Sequence, residues 1–194
     1  MKNDKRSNAV RIIGGKFRGR MLHFSDIPGL RPTPDRVRET LFNWLMHEIR
    51  DSVVLDLFSG SGALGIEALS RGAKKVIFVE KESVAVADIE AHLKQFKVSF
   101  SAYECYREEA FRALQRLSLS GEKYGLIFLD PPFDQGLLAH VLPACLSLVA
   151  EGGKIYIEQE SNLDPATYLP AGWIVLKDKI AGEVRYLLIE KPSA

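Results

Sequence analysis

VVLDLFSGSGALGIEALSRGA, residues 53–73, joins a short apolar run to a glycine-rich turn and then to an apolar stretch closed by Gly72. Val53 to Phe58 has the length and β-branched content of a buried strand. Gly62 to Arg71 predicts a helix that stops at the glycine. A buried strand running through a tight turn into a helix is the opening unit of a parallel sheet covered by helices.

The pattern repeats downstream. KVIFVE (75–80) predicts a second strand and 83–96 a second helix. A weaker strand over 98–104 precedes a helix over 107–119. YGLIFLD (124–130) is the most apolar strand, followed by a helix over 136–149, and GGKIYIE (152–158) is the fifth strand. Two late strands, 172–180 and 183–190, are split by Ala181-Gly182 and predict a closing hairpin. The expected fold is therefore α/β, a mostly parallel sheet with helices on both faces and an antiparallel hairpin at its C-terminal end. Ligands of such sheets sit beyond the carboxyl ends of the strands, where strand order reverses. The loops after residues 58, 80, 104 and 130 are thus the places to look.

Upstream, residues 1–8 read as disordered. Val10 to Ile13 and Phe17 to Phe24 flank Gly14-Gly15, a hairpin signal. Residues 25–33 are turn-rich. Thr33 before Pro34 reads as an N-cap followed by proline in the first helical position. Val37, Leu41, Trp44, Leu45 and Ile49 then recur at helical spacing, which predicts an amphipathic helix over 34–49. The chain divides into an extension, 1–50, and a sheet domain, 51–194.

Composition bounds the class. The chain has 194 residues, 46% hydrophobic and 26% charged. That mixture supports a core without staples and excludes disordered, collagen-like and disulfide-dense chains. No apolar run reaches the roughly 20 residues of a membrane span, and the polar N-terminus has no signal-peptide core. Cys105 and Cys145 read as reduced thiols. His23, His47, His92 and His140 lack ligand spacing, so no metal is expected. Trp44 and Trp173 read as core. A cytoplasmic monomer is expected.

The net charge of +1 conceals an asymmetry. Residues 1–50 contain eleven Lys/Arg against five Asp/Glu, whereas the remainder is acidic. A basic arm on an acidic body suits a polyanionic partner. Arg11, Lys16, Arg18, Arg20, Arg31, Arg36 and Arg38 read as phosphate contacts. A solvated tail, with Arg36 and Arg38 paired within their own helix, is the competing reading.

Two motifs carry chemistry. Gly60, Gly62 and Gly65 fit GxGxxG, and Glu80 follows at the end of the second strand. Alone this reads as a dinucleotide fingerprint, with the acid on ribose hydroxyls. Asp56 changes the reading, because a carboxylate beside the turn disfavours a pyrophosphate. It welcomes the ammonium and sulfonium of S-adenosylmethionine, with Phe58 offering apolar surface. The second motif is Asp130-Pro131-Pro132-Phe133. The prolines remove N–H donors, leaving the Asp130 carboxylate and the Pro131 carbonyl as two acceptors in a rigid fork. Such a fork holds an –NH2 group and aims its lone pair, and Phe133 can stack on a planar base.

These motifs resemble those of amino-methylating methyltransferases with a Rossmann-like sheet. The flanking segments narrow the resemblance: Arg11-Ile12-Ile13-Gly14-Gly15, Arg18-Gly19-Arg20, Arg31-Pro32-Thr33, and Asp35 through Leu45 (DRVRETLFNWL). With LFSGSGALGIEALSRGA and IFLDPPF they closely resemble the bacterial 16S ribosomal RNA guanine-N2 methyltransferase family, type D, from Val10 to the C-terminal hairpin. The resemblance implies methyl transfer from S-adenosylmethionine to N2 of one guanine in 16S rRNA of the small ribosomal subunit. It implies Asp56, Phe58, Gly60, Ser61, Gly62 and Glu80 as cofactor-binding residues, and Asp130, Pro131, Pro132 and Phe133 as catalytic ones. One departure stands out: Arg107, within CYREEAF, occupies the place where similar enzymes carry Asp or Asn near the adenine. The alternatives are amino-methylation of DNA adenine or of a protein glutamine, and a non-catalytic RNA-binding or subunit-assembly protein. A nicotinamide dehydrogenase is disfavoured by Asp56.

Overall fold

The computed structural model describes residues 8–30, 32–133 and 136–191. Residues 1–7, most of the segment read as disordered, and Arg31, read as a phosphate contact, lie outside the described residues. The chain forms β1 (Ala9–Arg11), β2 (Met21–His23), α1 (Asp35–Trp44), β3 (Val53–Asp56), α2 (Ala63–Ser70), β4 (Lys75–Glu80) and α3 (Ser83–Gln95). It continues through β5 (Tyr103–Arg107), α4 (Ala110–Ser120), β6 (Tyr124–Leu129), α5 (Leu137–Leu148), β7 (Val149–Glu160), β8 (Ile174–Ala181) and β9 (Val184–Glu190).

Seven strands make one sheet in the order β5-β4-β3-β6-β7-β9-β8. β3, β4, β5, β6 and β7 are parallel, whereas β9 pairs antiparallel with both β7 and β8. The order reverses between β3 and β6, so Asp56 and Asp130 end neighbouring strands at the switch point.

Side-chain alternation sorts the strands into two cores. Val54, Val76, Phe78, Leu126, Phe128 and Tyr156 face α1, α2 and α3; Leu55, Ile77, Val79, Ile127, Leu129 and Ile157 face α4 and α5. The N-terminal hairpin belongs to the first of these. Val10, Ile12, Phe17 and Leu22 are buried in the same cluster as the sheet residues and the Val37, Leu41, Phe42 and Leu45 face of α1.

Several boundaries differ from expectation. The third strand of the domain is Tyr103–Arg107, not 98–104, because a 3-10 turn at Phe100–Ala102 delays it. The hairpin strands are three residues each, with a 3-10 turn at Gly15–Phe17 between them. α1 ends at Trp44. Trp44 is half-buried, stacked on Tyr186 at 5.3 Å, and Trp173 is half-buried too. Among the described residues, no helix is long and apolar enough to cross a membrane.

A buried clasp seats the hairpin on α2. Glu67, fully buried, accepts the Ile13 and Gly14 amides at 2.8 and 2.7 Å and Arg71 Nε at 2.8 Å. Arg38, also fully buried, donates from Nη2 to the Arg11 carbonyl and to Asp35, while its Nη1 lies 3.5 Å from Glu67. Gly15 (φ +75) makes the close approach possible, since a Cβ there would stand 1.9 Å from the Ser70 carbonyl oxygen.

Candidate active site

The turn after β3 is built from backbone constraints. Gly62, at φ +75, precedes the first residue of α2, and a Cβ on it would meet Ile89 at 2.7 Å. A Cβ on Gly65 would meet the Phe78 ring at 2.2 Å and Asp56 Oδ2 at 2.9 Å. At Gly60 the nearest atoms to such a Cβ belong to Leu30, 3.8 Å away, so the apex of the turn is open on that side.

Side chains lock the turn in place. Ser59 Oγ donates to the Asp56 carbonyl and accepts the Val79 amide, stitching the turn to β4. Glu80 accepts the amides of Gly60 and Glu82, each at 2.9 Å. Asp56 Oδ2 accepts the Gly65 amide at 3.0 Å, supplying a helix-start acceptor that Gly62 cannot. Phe58 is half-buried beside the turn and Ser61 is buried within it.

Electrostatically the sheet edge calls for a cation. Asp56 is pushed up to about 8, first by burial and then by the charges of Asp130 and Glu80, against the pull of the Gly65 amide. An ammonium or sulfonium placed there relieves all three carboxylates, whereas a pyrophosphate would add to the repulsion. The open face at Gly60 and this set of carboxylate acceptors fit S-adenosylmethionine.

Across the switch point, Asp130 follows β6 at the rim, half-buried, with Pro131 buried and Phe133 half-buried beyond it. Burial pushes Asp130 up to about 7, opposed by a hydrogen bond to Thr33. Next to this segment lies a cavity of about 170 Å³ lined by Pro131, Phe133, Leu137, Glu158, Gln159 and Tyr168 among others. Its walls are mostly apolar, with Glu158, Gln159, Thr167 and Tyr168 as polar members, and Asp130 is not in its lining.

Sequence reasoning missed two residues here. Thr33 is no N-cap: Pro34 takes that position without any side-chain cap. The Thr33 hydroxyl instead lies 2.9 Å from Glu158 Oε1 and 3.3 Å from Asp130 Oδ2. Glu158, on β7, is 3% exposed and also takes a hydrogen bond from the Tyr156 hydroxyl at 2.9 Å. The available signal was that Glu158 ends the strand read as GGKIYIE, at the same sheet edge as Asp56, Glu80 and Asp130.

The arm divides. Arg11, Lys16, Arg18 and Arg20 are exposed on the hairpin, and Arg36 is exposed on α1. Arg20 lies over the Phe96 ring at 4.8 Å. Arg38 corrects its reading as a phosphate contact. Its guanidinium is enclosed beneath the hairpin and holds Asp35 and the Arg11 carbonyl, so no phosphate can reach it. At the far edge, the Glu108 carboxylate is engaged by Arg116 and Arg107 is exposed. Cys105 and Cys145 are free thiols that burial pushes up to about 12, which leaves no thiolate for nucleophilic work.

Residues 10–190 match the family described as conserved hypothetical protein 95. The chain is 40% identical over 193 residues to ribosomal RNA small subunit methyltransferase D of Escherichia coli K12, covering 98% of this chain and 94% of that protein. The protein of the same name in Haemophilus influenzae is 40% identical over 187 residues, 93% of each chain. The solved structure of yhhF from Escherichia coli superposes with a TM-score of 0.81 at 38% identity, covering 96% of this chain and 99% of that one.

Proposed function

The chain belongs to the conserved hypothetical protein 95 family, and from that membership and the geometry of the sheet edge we propose that it is an S-adenosylmethionine-dependent ribosomal RNA methyltransferase. The finer reading is transfer to the exocyclic N2 amine of one guanine in 16S rRNA of the small subunit. The observation that carries it is the placement of Asp56 and Asp130 at the ends of two neighbouring parallel strands. A carboxylate and a proline carbonyl suited to an amine end the strand beside the one that ends at a carboxylate suited to a cation.

When bound, S-adenosylmethionine supplies an electrophilic methyl group. Every other part is played by this chain. Asp56 and Glu80 hold the cofactor's cationic end and ribose. The target base lies beside Asp130 at the rim and stacks on the Phe133 ring. Asp130 and the Pro131 carbonyl each accept one amine hydrogen, which orients the nitrogen lone pair and stabilises the positive charge that develops on nitrogen. Exposed Arg11, Lys16, Arg18, Arg20 and Arg36 take RNA phosphates.

The test is incubation with labelled S-adenosylmethionine and undermodified small ribosomal subunits, followed by nucleoside analysis. Label in N2-methylguanosine is the expected result. Label confined to N6-methyladenosine or to protein would overturn the reading.

A further inference from the structure

One hydroxyl stands between two carboxyl groups at the amine-facing edge. Thr33 Oγ1 is 3.3 Å from Asp130 Oδ2 and 2.9 Å from Glu158 Oε1, and Tyr156 donates to that same Glu158 oxygen. A threonine has one hydroxyl hydrogen. If both carboxyls were ionised, one of the two contacts would oppose an oxygen lone pair to an anion at short range in a site nearly closed to water. Satisfying both contacts therefore requires a second hydrogen, carried by one of the two acids.

Burial decides which. Glu158 is enclosed on β7, 3% exposed, and Thr33 is 6% exposed, whereas Asp130 sits half-buried at the rim. A charge is less costly where water reaches it. The hydrogens then run one way: Tyr156 to Glu158, Glu158 to Thr33, Thr33 to Asp130. Such a chain strengthens each member in turn.

We propose that Thr33 and Glu158 are positioning residues for Asp130, a neutral Glu158 donating to Thr33 and Thr33 to Asp130, so that the pair's one negative charge stays on the carboxylate that meets the substrate amine. The inference rests on the reading of Asp130 as the amine acceptor. Among the described residues, the groups facing the pair are Asp56 at the end of β3, Tyr156 on β7 and, beyond Tyr156, Tyr186 on β9. None of them is a cation, so none draws the charge onto Glu158. Glu158 is held well above the usual carboxyl range by burial and by Asp130, in keeping with that assignment.

Carbon-13 NMR of the labelled carboxyl groups in the ligand-free protein tests the chain, read beside the pH profile of methyl transfer. Asp130 is expected to ionise near neutrality while Glu158 stays protonated. Glu158→Gln, which keeps a neutral donor, is expected to leave the Asp130 titration in place. Thr33→Val removes the hydrogen bond to the charged form and is expected to move both the Asp130 titration and the acid limb of kcat about one pH unit upward. Thr33→Ser should restore both, and KM for RNA should stay constant throughout. An Asp130 titration that falls by a unit or more in Glu158→Gln would place the charge on Glu158 and overturn the proposal. Unchanged profiles in a folded Thr33→Val would overturn it as well. If the titrations behave as stated but wild-type protein places no methyl on guanine N2, the substrate reading fails and the chain stands.

Discussion

Glu80 Oε2 accepts the Gly60 amide at 2.9 Å, tying the end of β4 to the apex of the glycine turn after β3. The carboxylate read as the ribose acceptor thus also fixes the turn that borders the cofactor. Both duties bear on what its removal does.

Glu80→Ala is expected to weaken S-adenosylmethionine binding with the fold intact. Loss of a charge-assisted hydrogen bond costs about 1.5–3 kcal/mol, roughly 10- to 150-fold in affinity. Glu80 lies at the rim, so its truncation opens no core cavity. Calorimetric titration measures the affinity and circular dichroism the fold. An unchanged affinity would place the ribose elsewhere.

Asp130→Ala is expected to stop methyl transfer while sparing cofactor affinity. Removing one preorganised hydrogen-bond partner from a developing charge costs about 3–4 kcal/mol, or two to three decades in rate. Asp130→Asn should be milder, because an amide oxygen still accepts. Single-turnover methylation of one subunit preparation by the three proteins gives the comparison. Near-normal turnover by the alanine variant would remove Asp130 from the chemistry.

Asp56 ties cofactor binding to protons. Burial pushes this group up to about 8, so near neutrality the free protein is expected to hold a proton on it. An ammonium or sulfonium placed beside it favours the carboxylate, so binding should release close to one proton at pH 7 and almost none above about pH 9. Calorimetry in buffers of different ionisation heat reads that number. The same shift bears on stability. A carboxyl held higher in the folded than in the unfolded chain contributes stability below about pH 4, and that contribution is lost as pH rises through the folded value. Asp130, near 7, acts in the same direction. The melting temperature should therefore fall from pH 5 to pH 8, and Asp56→Asn should flatten the fall.

The arm's arginines should separate into two behaviours. Arg18→Ala and Arg36→Ala, both at exposed positions, are expected to weaken RNA binding and each to reduce the logarithmic salt slope by about 1. Arg38→Ala removes the hydrogen bonds to the Arg11 carbonyl and Asp35 and one of the two guanidiniums beside Glu67, which keeps Arg71, so a loss of about 1–3 kcal/mol in stability is expected instead. Filter binding over a salt series and denaturant unfolding distinguish them. An Arg38 variant of normal stability with a reduced salt slope would return Arg38 to the RNA surface.

What could be read in advance follows from how local its cause is. β3, β4 and β6 are buried on both faces, so their apolar runs stand out, and the expected spans agree with the observed ones within two residues. β5 is an edge strand of mixed composition, its five residues none of them fully buried, and the sequence around it alternates too weakly to locate its start. Thr33 and Pro34 have the grammar of a helix start. The hydroxyl's partners, however, lie 97 and 125 residues away, beyond what spacing can reveal. Arg38 shares the charge of its neighbours on α1 but faces inward, because Glu67 on another helix waits there. Chain order says nothing of such pairings, since they exist only once the sheet has brought its elements together.

The clasp between Arg38 and Glu67 also sets an order of events during synthesis. The hairpin and α1 are translated before Glu67 and Ser70, the groups that receive them. At roughly 5–20 residues per second the wait lasts a few seconds. Throughout it Val10, Ile12, Phe17 and Leu22 lack the α2 side of the cluster they join, and Arg38 lacks Glu67. The basic segment is therefore a nascent polycation beside ribosomal RNA before it becomes part of a folded protein.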